Sequence, residues 1–137
     1  MSRRLVVPTL ITLIVVGVAL GAGAPHRSRA AEGSVTSALT THVLDTSAGH
    51  PVVGIPVRLE CAGKLLGRGN TDADGRLQLG PERLEPGIYR LTFDVDGYYP
   101  QSFYPEVTVT FRVSDPQSHL HLPLMLSPFA VTTYRGS

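Results

Sequence analysis

The sequence predicts an all-β fold, an antiparallel β-sandwich of about eight strands, and three observations lead to this prediction. Short segments in which apolar and polar residues alternate recur after residue 31, most clearly between Val107 and Val113. Gly, Pro and Asp separate these segments at short intervals. Helical periodicity is almost absent. Short strands joined by short links bury their apolar faces most readily when one sheet packs on another.

Four strands are expected in the first half of the domain. Residues 39–45 alternate and are rich in Thr and Val, and residues 56–62 place apolar and charged side chains on opposite faces. Residues 65–71 form a third strand. The segment 72–75, Asp-Ala-Asp-Gly, predicts a turn because Gly accepts a positive φ angle. A short fourth strand follows at residues 76–79.

The second half predicts four more strands. Residues 87–95 alternate less strictly, whereas residues 107–113 follow a strict period of two. Residues 119–126 and 129–134 complete the set. The link at residues 96–105 contains two prolines and a glycine, which leave little room for a helix and indicate a turn instead.

The strand at residues 119–126 has two unlike faces. Because side chains alternate along a strand, His119 and His121 share one face with Pro123 and Met125. We expect the other face to lie in the core and the histidine face to point outward, towards a ligand or a partner chain. The core face consists of Leu120, Leu122, Leu124 and Leu126.

Residues 1–31 are predicted to be a cleaved export signal. Two arginines precede an apolar stretch, and small residues follow it before Ala31. Residues 32–137 would then form one domain, located in the periplasm or secreted. The alternative is an uncleaved signal anchor.

Removal of this segment changes the charge of the protein. Four of its 12 basic residues lie in residues 1–31, whereas all 11 acidic residues follow. Residues 32–137 therefore carry 8 basic and 11 acidic residues, a formal charge of −3. This balance predicts no nucleic-acid partner. Once the export signal is cleaved, no membrane partner is expected either. Cys61 is the only cysteine, so no intrachain disulfide can form.

Four segments together carry a family resemblance. They are residues 39–45 (LTTHVLD), 71–76 (TDADGR), 119–128 (HLHLPLMLSP) and 134–137 (YRGS). In this order, with the last segment ending the chain, they resemble the 5-hydroxyisourate hydrolases, the enzyme branch of the transthyretin-related family. Transthyretins share the fold of these enzymes but lack the histidines and the closing tetrapeptide.

The resemblance implies a transthyretin-like (prealbumin-like) sandwich in which the short helix of the family has been lost. It also implies hydrolysis of 5-hydroxyisourate, a purine-derived small molecule of urate degradation, to 2-oxo-4-hydroxy-4-carboxy-5-ureidoimidazoline. No cofactor or metal is implied. Members of the family form homotetramers, dimers of dimers, whose active sites lie between subunits.

The resemblance also assigns roles to individual residues. Lactam hydrolysis needs a base that activates water and a positive group that stabilises the oxyanion, for which histidine and arginine are suited. The catalytic residues by position are His42, Arg76 and His121. The substrate-binding residues are His119, Tyr134, Arg135, Gly136 and Ser137.

Other interpretations of the same residues remain open. Each histidine could be an ordinary exposed side chain, and the C-terminal segment could serve packing alone. His42, His119 and His121 could together supply three nitrogens to zinc. A non-catalytic periplasmic binding module of the transthyretin type is a further alternative, since a fold does not determine a function.

Overall fold

Nine strands cover most of residues 37–137, the part of the chain that the computed structural model describes. They are β1 (Leu39–Asp45), β2 (His50–Pro51), β3 (Pro56–Cys61), β4 (Lys64–Asn70), β5 (Arg76–Leu79), β6 (Gly87–Asp94), β7 (Glu106–Val113), β8 (Leu120–Ser127) and β9 (Ala130–Thr133). All eight predicted strands are present, and the two-residue β2 is additional. No helix occurs among the described residues, so the prediction that the link after β6 has lost the helix is confirmed.

The predicted export signal, residues 1–31, lies outside the described residues. Within residues 37–137 there is no helix of sufficient length and apolarity to span a membrane.

Two sheets form the sandwich, and β1 and β8 are neighbours at the centre of the first. Its order is β2-β1-β8-β9, with β5 also paired to β1, and the order of the second sheet is β4-β3-β6-β7. Every pair is antiparallel except β1 with β8, which is parallel from Leu39 opposite Leu120 to Asp45 opposite Leu126. The predicted sandwich is confirmed, but one of its pairs is parallel. Alternation along a strand is the same whichever way its neighbour runs, so it carries no information about direction.

The core lies between the sheets and includes the leucine face of β8, as predicted. The four leucines of that face are at most 8% exposed. Leu39 and Val43 of β1 are fully buried on the same side. The second sheet contributes Leu59, Leu91 and Phe93, each at most 1% exposed. Since side chains alternate, burial of these positions directs the others of β1 and β8 to the outer face.

The outer face of β8 is only partly exposed to solvent. Pro123 is buried, His121 and Met125 are half-buried, and His119, just before the strand, is exposed. The strand is central in its sheet, with β1 on one side and β9 on the other. The histidine face therefore points away from the core, as the sequence predicts, although Pro123 on that face is buried.

A buried carboxylate joins the end of β1 to the link after β6. Asp45 is 3% exposed, and its Oδ1 accepts hydrogen bonds from the backbone N–H and hydroxyl of Ser47 at 2.8 and 2.7 Å. Its Oδ2 accepts one from the hydroxyl of Tyr98 at 3.0 Å. Burial alone raises the pKa of Asp45, but hydrogen bonds led by those of Tyr99 and Ser47 outweigh it and hold the pKa well below its usual range. Burial and the bond to Asp45 raise the pKa of Tyr98 to about 12.

Candidate active site

Arg76 and His42 lie side by side on neighbouring strands, because Arg76 stands opposite His42 where β5 pairs with β1. The turn before β5 fixes this position. Asp72 Oδ1 accepts the backbone N–H of Arg76 at 2.9 Å, and Gly75 has a φ of 70°, as the sequence predicts. A Cβ atom on Gly75 would lie 2.6 Å from the carbonyl oxygen of Val43, so the turn rests directly on β1.

His121 lies beside a threonine that sequence reasoning did not include in the site. In the parallel pair of β1 and β8, His121 stands opposite Thr40. Thr40 Oγ1 is 2.9 Å from Nδ1 of His121 and 3.1 Å from Nε2 of His119. Alternation already places Thr40 on the same face as His42. Only the pairing of β1 with β8, which the sequence does not reveal, brings it to His121.

The C-terminal segment packs against the ring of His121. The backbone N–H of Gly136 donates a hydrogen bond to the carbonyl oxygen of His121 at 2.8 Å. This bridge continues the register in which Leu124 of β8 faces Thr133 of β9. A Cβ atom on Gly136 would lie 2.5 Å from Cδ2 of His121, so the glycine backbone lies directly against the edge of the ring.

The other residues of the C-terminal segment lie on two faces. By the register of this segment, Tyr134 is on the same side as His121; it is 55% exposed, and Ser137 is also exposed. Arg135 points the opposite way and lines a cavity of about 130 Å³ together with Leu120. Successive side chains of an extended segment point to opposite sides. The structure therefore does not bring Arg135 together with the histidines.

Two rows of residues, each running across neighbouring strands of the sheet, make up the candidate site. Facing side chains of neighbouring strands have Cβ atoms about 5 Å apart, so the three predicted catalytic residues lie within one or two strand spacings of each other. The arginine row consists of Arg76, His42, Pro123 and Tyr134, and the threonine row of Gln78, Thr40, His121 and Gly136.

Burial and positive neighbours adjust the acidity of His121. Burial lowers the pKa of His121, and the charges of Arg76 and of the two neighbouring histidines lower it further. The imidazole is therefore neutral near pH 7, the form that accepts a proton. Arg76 itself is exposed, and within residues 37–137 the ion pairs are those of Arg58, so its guanidinium is available to an anion.

This face combines a neutral imidazole, a second imidazole and a guanidinium. Such a set can activate water and stabilise a developing oxyanion. In the described part of the chain, no three His, Cys, Asp or Glu side chains come together as ligands for a metal ion. The three-histidine zinc interpretation therefore finds no ligand set there.

Comparisons with known proteins show what this chain is similar to. The sequence profile of the HIUase/Transthyretin family matches residues 39–136. The 5-hydroxyisourate hydrolase of Mus musculus is 42% identical over 114 residues, covering 74% of this chain and 97% of its own length. The uric acid degradation bifunctional protein TTL of Arabidopsis thaliana is 39% identical over 142 residues. This match covers 88% of this chain and 41% of the length of that relative. The structure of Klebsiella pneumoniae 5-hydroxyisourate hydrolase superposes with a TM-score of 0.66 at 33% identity, over 72% of this chain and 97% of the other.

Proposed function

The chain belongs to the HIUase/transthyretin family, and we propose that it hydrolyses 5-hydroxyisourate in the degradation of urate. One observation carries the proposal. Arg76, His42 and His121 come from three adjacent strands and face the same side of one sheet. Relatives whose names state this activity match nearly their whole length to the chain, which supports the same assignment.

The proposed reaction adds water across the lactam C–N bond. His121, neutral near pH 7, takes a proton from water as the water oxygen bonds to the carbonyl carbon. The guanidinium of Arg76 stabilises the negative charge that develops on the carbonyl oxygen. The C–N bond breaks as the ring nitrogen receives a proton. We assign a role in this second proton transfer to His42, which lies beside Arg76.

Turnover of single variants tests the assignment. We expect His42→Ala, Arg76→Ala and His121→Ala each to lower kcat/KM on freshly prepared 5-hydroxyisourate by about 10²–10⁴-fold. His50→Ala is the matched control, because His50 is exposed in β2, opposite Asp45 and away from both rows. Circular dichroism should be unchanged in all four variants. Turnover at the wild-type level in His121→Ala would refute the assignment.

The second candidate function is ligand binding without catalysis, since the family includes both hydrolases and transthyretins. The histidines and guanidinium of the two rows favour hydrolysis, because a pocket that only binds has no need of a group that accepts protons. The assay separates the two functions: a folded protein without turnover would support binding alone. A chelator arm tests the zinc interpretation, and we expect turnover to be unaffected by the chelator.

We further propose that the protein acts as a homotetramer, a dimer of dimers. Arg76 and His119 are exposed and His42 is half-buried, so the face is open to water in a single chain. A second copy of the chain over this face would exclude water and strengthen its electrostatic interactions. Light scattering beside the assay, at falling protein concentration, tests this. Activity should decline as the assembly dissociates, and a fully active monomer would overturn the shared site.

We also propose that residues 1–31 direct export to the periplasm or outside the cell. The support is the arrangement of basic, apolar and small residues in that segment. Cell fractionation followed by N-terminal sequencing tests it. A mature protein that begins near Ala31 or Glu32 is expected, and an intact Met1 in the membrane fraction would favour the anchor.

A further inference from the structure

The hydroxyl of Thr40 lies between two imidazole rings. Its Oγ1 is 2.9 Å from Nδ1 of His121 and 3.1 Å from Nε2 of His119. A third neighbour, the carbonyl oxygen of Leu120, is 3.4 Å away. Neither imidazole nitrogen is fixed as donor or acceptor by distance alone, because neutral histidine has two tautomers.

Counting protons restricts the arrangements. A hydroxyl donates one hydrogen and accepts through two lone pairs. If Thr40 donates to His119 or to the carbonyl of Leu120, its lone pairs accept the Nδ1–H of His121. Nε2 of His121 then carries the free lone pair. Only donation to His121 itself would give the opposite tautomer, and it would leave the carbonyl oxygen of Leu120 without that proton.

The ring of His121 is held on two sides. Thr40 contacts Nδ1, and the backbone of Gly136 lies against Cδ2. Apart from Cγ, where the ring joins the rest of the side chain, the remaining ring atoms are Nε2 and Cε1. Within residues 37–137 the hydrogen bonds of this ring are made through Nδ1, so Nε2 is available to a substrate or a water molecule.

We propose that Thr40 is a positioning residue whose hydroxyl accepts the Nδ1–H of His121, so that Nε2 of the same ring acts as the unprotonated base. His119 supports this arrangement by accepting the proton of the Thr40 hydroxyl. When Nε2 takes a proton from water, Thr40 continues to accept from Nδ1 of the imidazolium that forms. The inference rests on the proposed function for its kinetic consequence, but its tautomer can be measured without substrate.

Thr40→Val tests the proposal, because valine keeps the branched shape and removes the hydroxyl. We expect kcat to fall by about 10–100-fold and KM to change by less than about twofold, as for a base whose orientation is lost. Thr40→Ser restores a hydroxyl and should return kcat to within about threefold of wild type. Thr132→Val is the matched control, since Thr132 is an exposed residue of β9 opposite Met125.

Two-bond ¹H–¹⁵N correlation spectra of histidine-labelled protein give the tautomer directly. In the wild type at pH above 7.5 we expect His121 to carry its proton on Nδ1, and in Thr40→Val to shift towards the Nε2–H tautomer. We expect a smaller change in His119→Ala, where the carbonyl of Leu120 can still accept the hydroxyl proton.

A wild-type His121 protonated at Nε2, or a Thr40→Val protein with unchanged tautomer and kcat, would overturn the proposal. The wild-type spectrum decides even if Thr40→Val fails to fold. Failure of the wild type to hydrolyse 5-hydroxyisourate would refute the proposed function and leave the tautomer result to decide this inference separately.

Discussion

A single methyl group added at Gly136 should disable the site without disturbing the fold. The backbone of Gly136 is outside the left-handed region, so alanine fits its conformation. The obstacle is the ring of His121. The added Cβ would lie 2.5 Å from Cδ2, 3.2 Å from Cγ and 3.3 Å from Cβ of that histidine.

The required displacement follows from these distances. Carbon atoms in contact are about 3.5 Å apart, so the methyl group and the ring must separate by about 1 Å. Either the ring leaves the hydroxyl of Thr40, or the C-terminal segment loses the hydrogen bond from the Gly136 N–H. A displacement of about 1 Å in a catalytic group costs about 10²-fold in rate. We therefore expect kcat/KM of Gly136→Ala to fall by about 10²-fold.

The assay compares Gly136→Ala with wild type and with Gly97→Ala, each on fresh 5-hydroxyisourate. A Cβ atom on Gly97 would meet nothing within 4 Å and its φ is not positive, so this control should retain full activity. The urea midpoint of Gly136→Ala should stay close to that of wild type, because the core leucines of β8 lie on the opposite face. A folded Gly136→Ala protein with wild-type kcat/KM would show that the contact with His121 does not position the base.

Three further predictions concern charge, stability and the divided C-terminal segment. Arg76→Met removes a positive charge that lowers the pKa of His121, so NMR titration should show that pKa rising towards 6.5; an unchanged pKa would mean that the two groups do not interact. Tyr98→Phe removes a hydrogen bond to ionised Asp45 and should lower the free energy of unfolding by about 1.5–3 kcal/mol in urea titrations at pH 7. Because the folded-state pKa of Asp45 lies below its ordinary 3.8, the contribution of its carboxylate to the free energy of unfolding is complete above that pH and declines as the pH falls below it. Tyr98→Phe should reduce this loss of stability in acid. Arg135→Ala should change kcat/KM by less than about threefold, because Arg135 points away from His121, and a large loss would contradict that orientation.

The sequence predicts the strands well because alternation is a local property. The leucine face of residues 119–126 is the clearest case, since its burial in the structure follows directly from the period of two. The motif residues His42, Arg76 and His121 could be chosen from the resemblance, and the structure places them on one face.

Features that depend on which strands are neighbours could not be predicted in this way. Thr40 and His121 are 81 positions apart, and no local pattern indicates that their strands pair in parallel. The burial of Pro123 depends on the same pairing. The position of Arg135 depends on the register that the C-terminal segment keeps after β9, which the bridge from Gly136 to His121 sets.

The register between β1 and β8 is therefore what assembles the site, and the core determines that register. A slip of one residue would turn His42 towards the core and Leu39 towards solvent, because every side chain of a slipped strand changes face. A slip of two residues would preserve the faces, but it would move His121 away from Thr40 and remove the 2.9 Å contact between Thr40 Oγ1 and Nδ1 of His121. The apolar residues of one face thus determine on which side of the sheet the histidines lie, although they are on the opposite face.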